Sequence, residues 1–233
     1  MKLKTFIGLF VAILVPVAFF LYFDGNGIPK RPKLKRYIPL LTDTIQPNKV
    51  KINDTLWHTI PQFEFTAHTG KKVTEQILQN KITVVDFFFT KCPSICPKMS
   101  SQLQRVQQLY KDDKQIQILS HTVDPENDNV QTLANYADIY EADSSKWLFL
   151  TAPKADIYKQ AREGYFVTAS QGDGGKDDFI HTEKFILIDS KGVIRGYYDG
   201  TDKIDVDRLI GEIVVLKMEF PSPKKELELR RKP

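Results

Sequence analysis

The stretch Ile82 to Phe89, ITVVDFFF, constrains the fold of this chain more than any other. It is a continuous β-branched and aromatic run broken by one carboxylate, the pattern of a central strand covered on both faces. Such a strand needs strands beside it and helices above and below it, and the flanking sequence supplies both. MSSQLQRVQQLYK follows, with Met99, Leu103, Val106 and Tyr110 at helical spacing. IQILSHTV reads as a second strand, and NVQTLANYADIY as a second helix with Val130, Leu133, Tyr136 and Ala137 on one face. WLFLTA is a third strand and KADIYKQAREGYF a third helix.

Upstream, PQFEFTAHTGKKVT alternates apolar and polar residues about Thr69-Gly70, which predicts a β-hairpin. Downstream, a polar loop, ASQGDGGKDD, precedes FILIDSKGVIRGYY, two strands joined at Ser190-Lys191-Gly192. DVDRLIGEIVVLKM closes the domain as a helix, with Val206, Leu209, Ile210 and Val214 expected inward. A hairpin, then βαβ units, then an antiparallel pair and a last helix predict an α/β fold. The expected form is a thioredoxin-like mixed sheet flanked by helices, with an N-terminal β-hairpin extension.

The termini differ from this body. From Phe6 to Phe23 there are 18 residues without a charge, and a helix of that length spans roughly 27 Å. Residues 1–23 are therefore expected to be an N-terminal membrane anchor. A cleaved signal peptide is the competing reading, but AFFLYFDGNG offers a poor small-residue cleavage site. Residues 24–55, interrupted by Gly25, Gly27, Pro29, Pro32, Pro39 and Pro47, read as a tether. The folded domain is expected over 56–220 and a charged tail over 221–233.

The formal net charge of the 233 residues is +4, but residues 30–36 alone carry +5 and the stretch from Lys224 to Pro233 carries +3. Residues 37–223 hold 21 basic and 26 acidic side chains. A nucleic-acid footprint would place positive charge on the folded body, so no nucleic-acid partner is expected. The basic residues after the span outnumber those before it, which by charge alone keeps the domain inside. The cysteine chemistry argued next suits an extracytoplasmic domain, periplasmic in a Gram-negative cell, and that placement is the one expected.

Only two cysteines occur, Cys92 and Cys96, which excludes a disulfide-stapled scaffold and a four-cysteine zinc site. They lie in TKCPSICPKMS, between the buried strand and its helix. Pro97 suits the first helical position, which would make Cys96 the N-cap and put Cys92 in the loop before it. Both sulfurs would then sit at the positive end of a helix, where thiolate is stabilised. Low-pKa thiolates serve thiol exchange and soft-metal binding alike. The bland alternative is two inert core cysteines.

Three segments, FFFTKCPSICPKM, TVDPENDNVQTLANYA and HTEKFILIDSKGVIRGYY, together resemble the Sco/SenC family of copper-binding, membrane-anchored thioredoxin-fold proteins. The resemblance runs in order from about Ile60 to Val215. It implies a copper ion, Cu(I) or Cu(II), held by Cys92, Cys96 and the distant His181. Two thiolates and one imidazole form a three-coordinate set suited to Cu(I), with a nitrogen that also accepts Cu(II). His181 stands where thioredoxin-like folds usually carry a cis-proline beside the cysteine motif, and GDGGK before it reads as a hinge. The bland alternative is a surface histidine at a strand end.

Asp124 and Asp128 match acidic positions of the family pattern. Asp124 is a weak outer-shell candidate, whereas Asp128 or Asn129 is expected to cap the following helix, and capping is the role expected of Asp128. His121, at the end of the second strand, is a further weak outer-shell candidate. His58 and His68 are expected to be exposed. The resemblance implies a metallochaperone for the dinuclear copper centre of cytochrome c oxidase. Its partners would be the oxidase's copper-binding subunit and other copper chaperones. A thiol–disulfide oxidoreductase that reduces the cysteines of that subunit is the alternative, with Cys92 and Cys96 as its redox pair. A peroxiredoxin-like reading fails, because Thr90 lies two residues before Cys92 rather than three.

Overall fold

The computed structural model describes residues 13–16, 33–38, 49–52, 55–167 and 182–220. Residues 13–16 form a helical turn in a unit separate from the body that begins at Lys33. The remainder of the expected anchor and the charged tail lie outside the described residues, as does His181. Among the described residues, no helix is long and apolar enough to cross a membrane.

Strand β1 (Lys49–Ile52) and strand β2 (Thr55–His58) form a small antiparallel hairpin. The main sheet is built from β3 (Glu64–Ala67), β4 (Lys72–Thr74), β5 (Ile82–Phe88), β6 (Ile116–Thr122), β7 (Trp147–Thr151), β8 (Lys184–Ile188) and β9 (Ile194–Asp199). These seven strands lie in the order β4-β3-β7-β6-β5-β8-β9. Helices α1 (Ile95–Leu109), α2 (Val130–Ile139), α3 (Lys154–Lys159) and α4 (Lys203–Glu219) cover the faces. This is the thioredoxin-like mixed α/β sheet that the alternation of patterns predicts.

The apolar run occupies the middle of the sheet. β5 pairs in parallel with β6, from Ile82↔Ile116 to Phe88↔Thr122, and antiparallel with β8 on its other side, from Thr83↔Ile188 to Val85↔Ile186. All of its residues are buried. Because successive side chains point to opposite faces, Ile82, Val84 and Phe88 join the core under α1, α2 and α4, with Met99, Leu103, Leu133 and Leu209. Val85 and Phe87 join the other core, with Phe63, Phe65, Ile157 and Tyr165. A strand buried on both faces has no room for polar alternation, which is why the run is continuous.

The hairpin β3–β4 turns where the sequence indicates. Gly70 takes φ +79 and its N–H donates to the carbonyl of Ala67 at 2.8 Å, a conformation that costs glycine little. β3 also pairs antiparallel with β7, so the hairpin extends the main sheet. On α4 the inward stripe is Val206, Leu209, Ile213 and Leu216. Ile210 is only half-buried and Val214 is 42% exposed, so the expected placement of Val214 is corrected. Alternating steps of three and four keep one narrow stripe on the sheet, and that stripe passes Val214 by.

The segment read as tether is partly built into the domain. β1 lies within it, and residues 33–38 pack along β9 and the end of α4. The anchor of this segment is Arg195, a buried side chain invisible to periodicity. Its guanidinium donates to the carbonyls of Lys35 (2.9 Å) and Leu34 (2.8 Å). The same group pairs with Asp189 at 3.0 Å and with Glu219 at 2.8 Å.

Candidate metal centre

The cysteine loop leaves the carboxyl end of β5. The N–H of Val123 donates to the carbonyl of Phe88 at 2.8 Å, which continues the β5–β6 pairing to the point of departure. The N–H of Cys92 then donates to the carbonyl of Phe89 at 3.2 Å, folding the chain into a turn. Helix α1 begins at Ile95 with Ser94 as N-cap, so it starts earlier than the proline rule indicates. Pro97 falls at the third helical position, where the missing N–H has no intrahelical acceptor to lose. Cys96 therefore lies in the first turn and is not the N-cap.

Ser94 makes no side-chain capping bond. The sulfur of Cys92 takes that place, accepting the N–H of Cys96 at 3.4 Å. Both thiols are free and buried, Cys92 at 8% exposure and Cys96 at 3%. Their proton affinities diverge. Burial pushes Cys92 upward, but bonds from the Cys96 thiol and from the N–H groups of Ser94, Cys96 and Ile95 outweigh it and hold Cys92 below the usual thiol range. Burial pushes Cys96 far above that range, and its bond to Cys92 and the negative charge of Asp86 add to the effect. The pair is thus one sulfur prepared as thiolate and one that keeps the shared proton. Displacing that proton exposes two soft donors, a fit to Cu(I).

Among the described residues, no group of three or more histidine, cysteine, aspartate or glutamate side chains is arranged to hold a metal. The expected third donor, His181, lies outside those residues. β8 runs antiparallel to β5, so its entry at Thr182 and Lys184 is at the carboxyl end of β5, the end that carries the cysteine loop.

The structure separates the other expected residues. His121 is fully buried, and its ring stacks on Phe87 (centroids 5.2 Å apart) and meets Phe65 and Tyr165. That is the core on the sheet face opposite the cysteines. A two-residue period carries His121 there with Leu119 and Val123. Asp124 stays at the loop, where both its oxygens accept the side-chain amide of Asn127, at 3.1 and 2.9 Å. Of the two residues expected at the cap of α2, Asp128 does not fill it. Asn129 does, accepting the N–H of Thr132 at 3.0 Å. His58 and His68 are not exposed loop residues: His58 is buried with Nε2 bonded to the carbonyl of Gly164, and His68 is half-buried with Nδ1 accepting the N–H of Phe149.

Asp86 is a buried titratable group that the sequence pattern alone does not single out. It lies on β5 beside Ser120 of β6, wholly buried, and burial raises it to about 7 despite a bond from Ser120. The available signal was a lone carboxylate inside an otherwise apolar strand.

The chain matches the SCO1/SenC family model over residues 54–215. It is 29% identical over 165 residues to the SCO1 protein homolog of Bacillus subtilis, covering 70% of this chain and 85% of that protein. It is 32% identical over 175 residues to Protein sco1 of Schizosaccharomyces pombe, covering 68% and 64%. Among solved structures, a SCO1/SenC family lipoprotein of Bacillus anthracis aligns with TM-score 0.61 and 29% identity over 69% of this chain and 95% of that one. Copper-bound ScoI of Arabidopsis thaliana aligns with TM-score 0.56 and 26% identity over 70% and 99%. The matched stretch takes in the whole main sheet and the cysteine loop at its carboxyl edge, and on that ground the chain belongs to the SCO1/SenC family.

Proposed function

We propose that this protein binds one copper ion through Cys92, Cys96 and His181 and passes it to the dinuclear copper centre of a cytochrome c oxidase subunit. The domain would work on the extracytoplasmic side of a membrane, held there by residues 1–23. The observation that carries this reading is the polarised, reduced cysteine pair at the start of α1. Copper is the cargo. The thiolate of Cys92 makes first contact, Cys96 gives up its proton to become the second sulfur donor, and an imidazole completes a set from which a stronger acceptor site can draw the ion. Relatives support the reading: copper is bound in Arabidopsis thaliana ScoI, and BsSco is described as a member of the Sco family of cytochrome c oxidase assembly proteins. A protein of Stutzerimonas stutzeri, 27% identical over 66% of this chain and 76% of its own length, is described as a putative copper-binding protein.

The test is an anaerobic titration of the reduced full chain with Cu(I) and with Cu(II). One ion per chain is expected, with Cu(II) binding weakened at least about tenfold in His181→Ala. Unchanged Cu(II) binding in that variant would remove His181 from the ligand set.

The same pair favours a second reading, a thiol–disulfide oxidoreductase acting on the cysteines of the copper-accepting subunit. A low-pKa thiol beside a proton-holding one is the arrangement of an attacking and a resolving cysteine. The structure of BsSco, 27% identical, is described in terms of a disulfide switch. Reduction of a subunit disulfide by the metal-free protein, unaffected in His181→Ala, would favour this reading over metal transfer.

A further inference from the structure

Two loops meet at the carboxyl edge of the sheet, and a single carboxylate joins them. Asp128 has no solvent exposure. Its Oδ2 accepts the N–H of Thr90 at 3.1 Å and the hydroxyl of Thr122 at 2.5 Å, while its Oδ1 accepts the hydroxyl of Thr90 at 2.5 Å. Thr122 belongs to β6 and is paired with Phe88, so it is fixed by the sheet. Thr90 is the second residue before Cys92 and belongs to no strand or helix. The carboxylate therefore ties the root of the cysteine loop to a rigid strand, using both hydrogen-bond donors of Thr90. A neighbouring contact runs in parallel: the ammonium of Lys91 donates to Asn127 at 3.1 Å, and Asn127 is held by Asp124.

We infer that Asp128 is a positioning residue for the cysteine pair, acting through Thr90 to hold the loop in its dithiol form. The inference rests on the reading of Cys92 and Cys96 as the working pair. The clamped loop is the one in which Cys92 sulfur caps α1 through the N–H of Cys96. Forming a Cys92–Cys96 disulfide draws that sulfur to its partner and away from the amide, so the loop must adjust against the clamp. Hydrogen bonds to an ionised carboxylate are strong and directional. A clamp that fits one redox form better than the other shifts the equilibrium between them by the difference, as any differential interaction does.

The experiment measures the dithiol–disulfide equilibrium of the metal-free full chain against dithiothreitol. The reagent gives two electrons and two protons to the disulfide and closes to its own cyclic disulfide. Thr90→Val is expected to shift the constant toward the protein disulfide by about tenfold, the worth of one lost charge-assisted bond, and Asp128→Ala, which removes both bonds from Thr90, by at least as much. Thr90→Ser, which keeps both donors to the carboxylate, should stay within about twofold of the parent. Equal constants in the parent and Thr90→Val, with unfolding free energy lowered equally in both redox forms, would show a purely structural contact and overturn the inference. If Asp128→Ala does not fold, the Thr90 pair decides alone. No copper enters the measurement, so failed copper binding and failed positioning are separate results.

Discussion

The N–H of Cys96 is directed at the sulfur of Cys92 from 3.4 Å, so one cysteine caps the helix that carries the other. A three-residue insert makes this contact: the chain turns once at Phe89–Cys92 and starts its helix at Ile95, leaving Cys92 facing the first free amides. Those amides stabilise negative charge on Cys92, while Cys96, deeper and next to a developing thiolate, keeps its proton. Iodoacetamide on the reduced, metal-free protein at neutral pH should therefore modify Cys92 at least about tenfold faster than Cys96. Peptide mapping by mass spectrometry gives the two rates, and preferential modification of Cys96 would contradict the assigned polarity.

The fold was legible because each long element carries a clean period, and the cysteine motif because proline and cysteine mark a helix entry. What stayed hidden depends on contacts between distant segments. Nothing near Arg195 announces that its partners are Leu34, Lys35 and Glu219, far away in the chain. Asp128 reads as a helix cap by position, and only the approach of Thr90 removes it from that role. His121 reads as an edge residue until the strand's alternation is fixed by pairing with Phe87. The helix start was misjudged by the proline rule, which does not distinguish among the first helical positions.

The Arg195 cluster makes a prediction about the amino-terminal segment. Arg195→Met leaves Asp189 and Glu219 without their cation in a buried setting, which costs about 3–5 kcal/mol when one partner of a buried pair is removed. Asp189 keeps the N–H groups of Lys191 and Val193, which places the expected loss near about 3 kcal/mol. The carbonyls of Leu34 and Lys35 lose their donors as well, so residues 33–38 should detach locally. Urea unfolding reads the first effect, and faster tryptic cleavage after Lys35 or Arg36 reads the second. Unchanged cleavage with lowered stability would mean that other contacts hold the segment.

His121 predicts an acid sensitivity. Burial among aromatic rings lowers it to about 3, and its Nδ1 has no hydrogen-bond partner among the described residues. The unfolded chain binds a proton there below about 6.5 while the folded protein does not, so stability from this residue falls as pH drops from about 6.5 toward 3. His121→Leu removes that dependence. The stability difference between variant and parent should move in the variant's favour by on the order of 2 kcal/mol from pH 7 to pH 4.5, measured by urea unfolding at both values. A constant difference across that range would show that the imidazole ionises in place.

Asp86 carries the opposite slope on the opposite face. It is raised to about 7 by burial, and its Oδ1 has no partner among the described residues, while Ser120, itself holding the indole N–H of Trp147 at 2.8 Å, bonds the carboxyl group. The folded protein here holds a proton that the unfolded chain releases near 3.8, so the contribution is full at low pH and is lost as pH rises through about 7. Asp86→Asn stays neutral throughout and should match the parent near pH 4 but exceed it by on the order of 3 kcal/mol at pH 8.5. Between about pH 4 and 6.5 this loss runs against the gain from His121, so the parent's own profile is flattened and conceals both. The two single variants separate them: unfolding curves against pH should tilt in opposite directions, His121→Leu losing the rise and Asp86→Asn losing the fall. Parallel profiles would mean that neither buried group titrates where its surroundings place it.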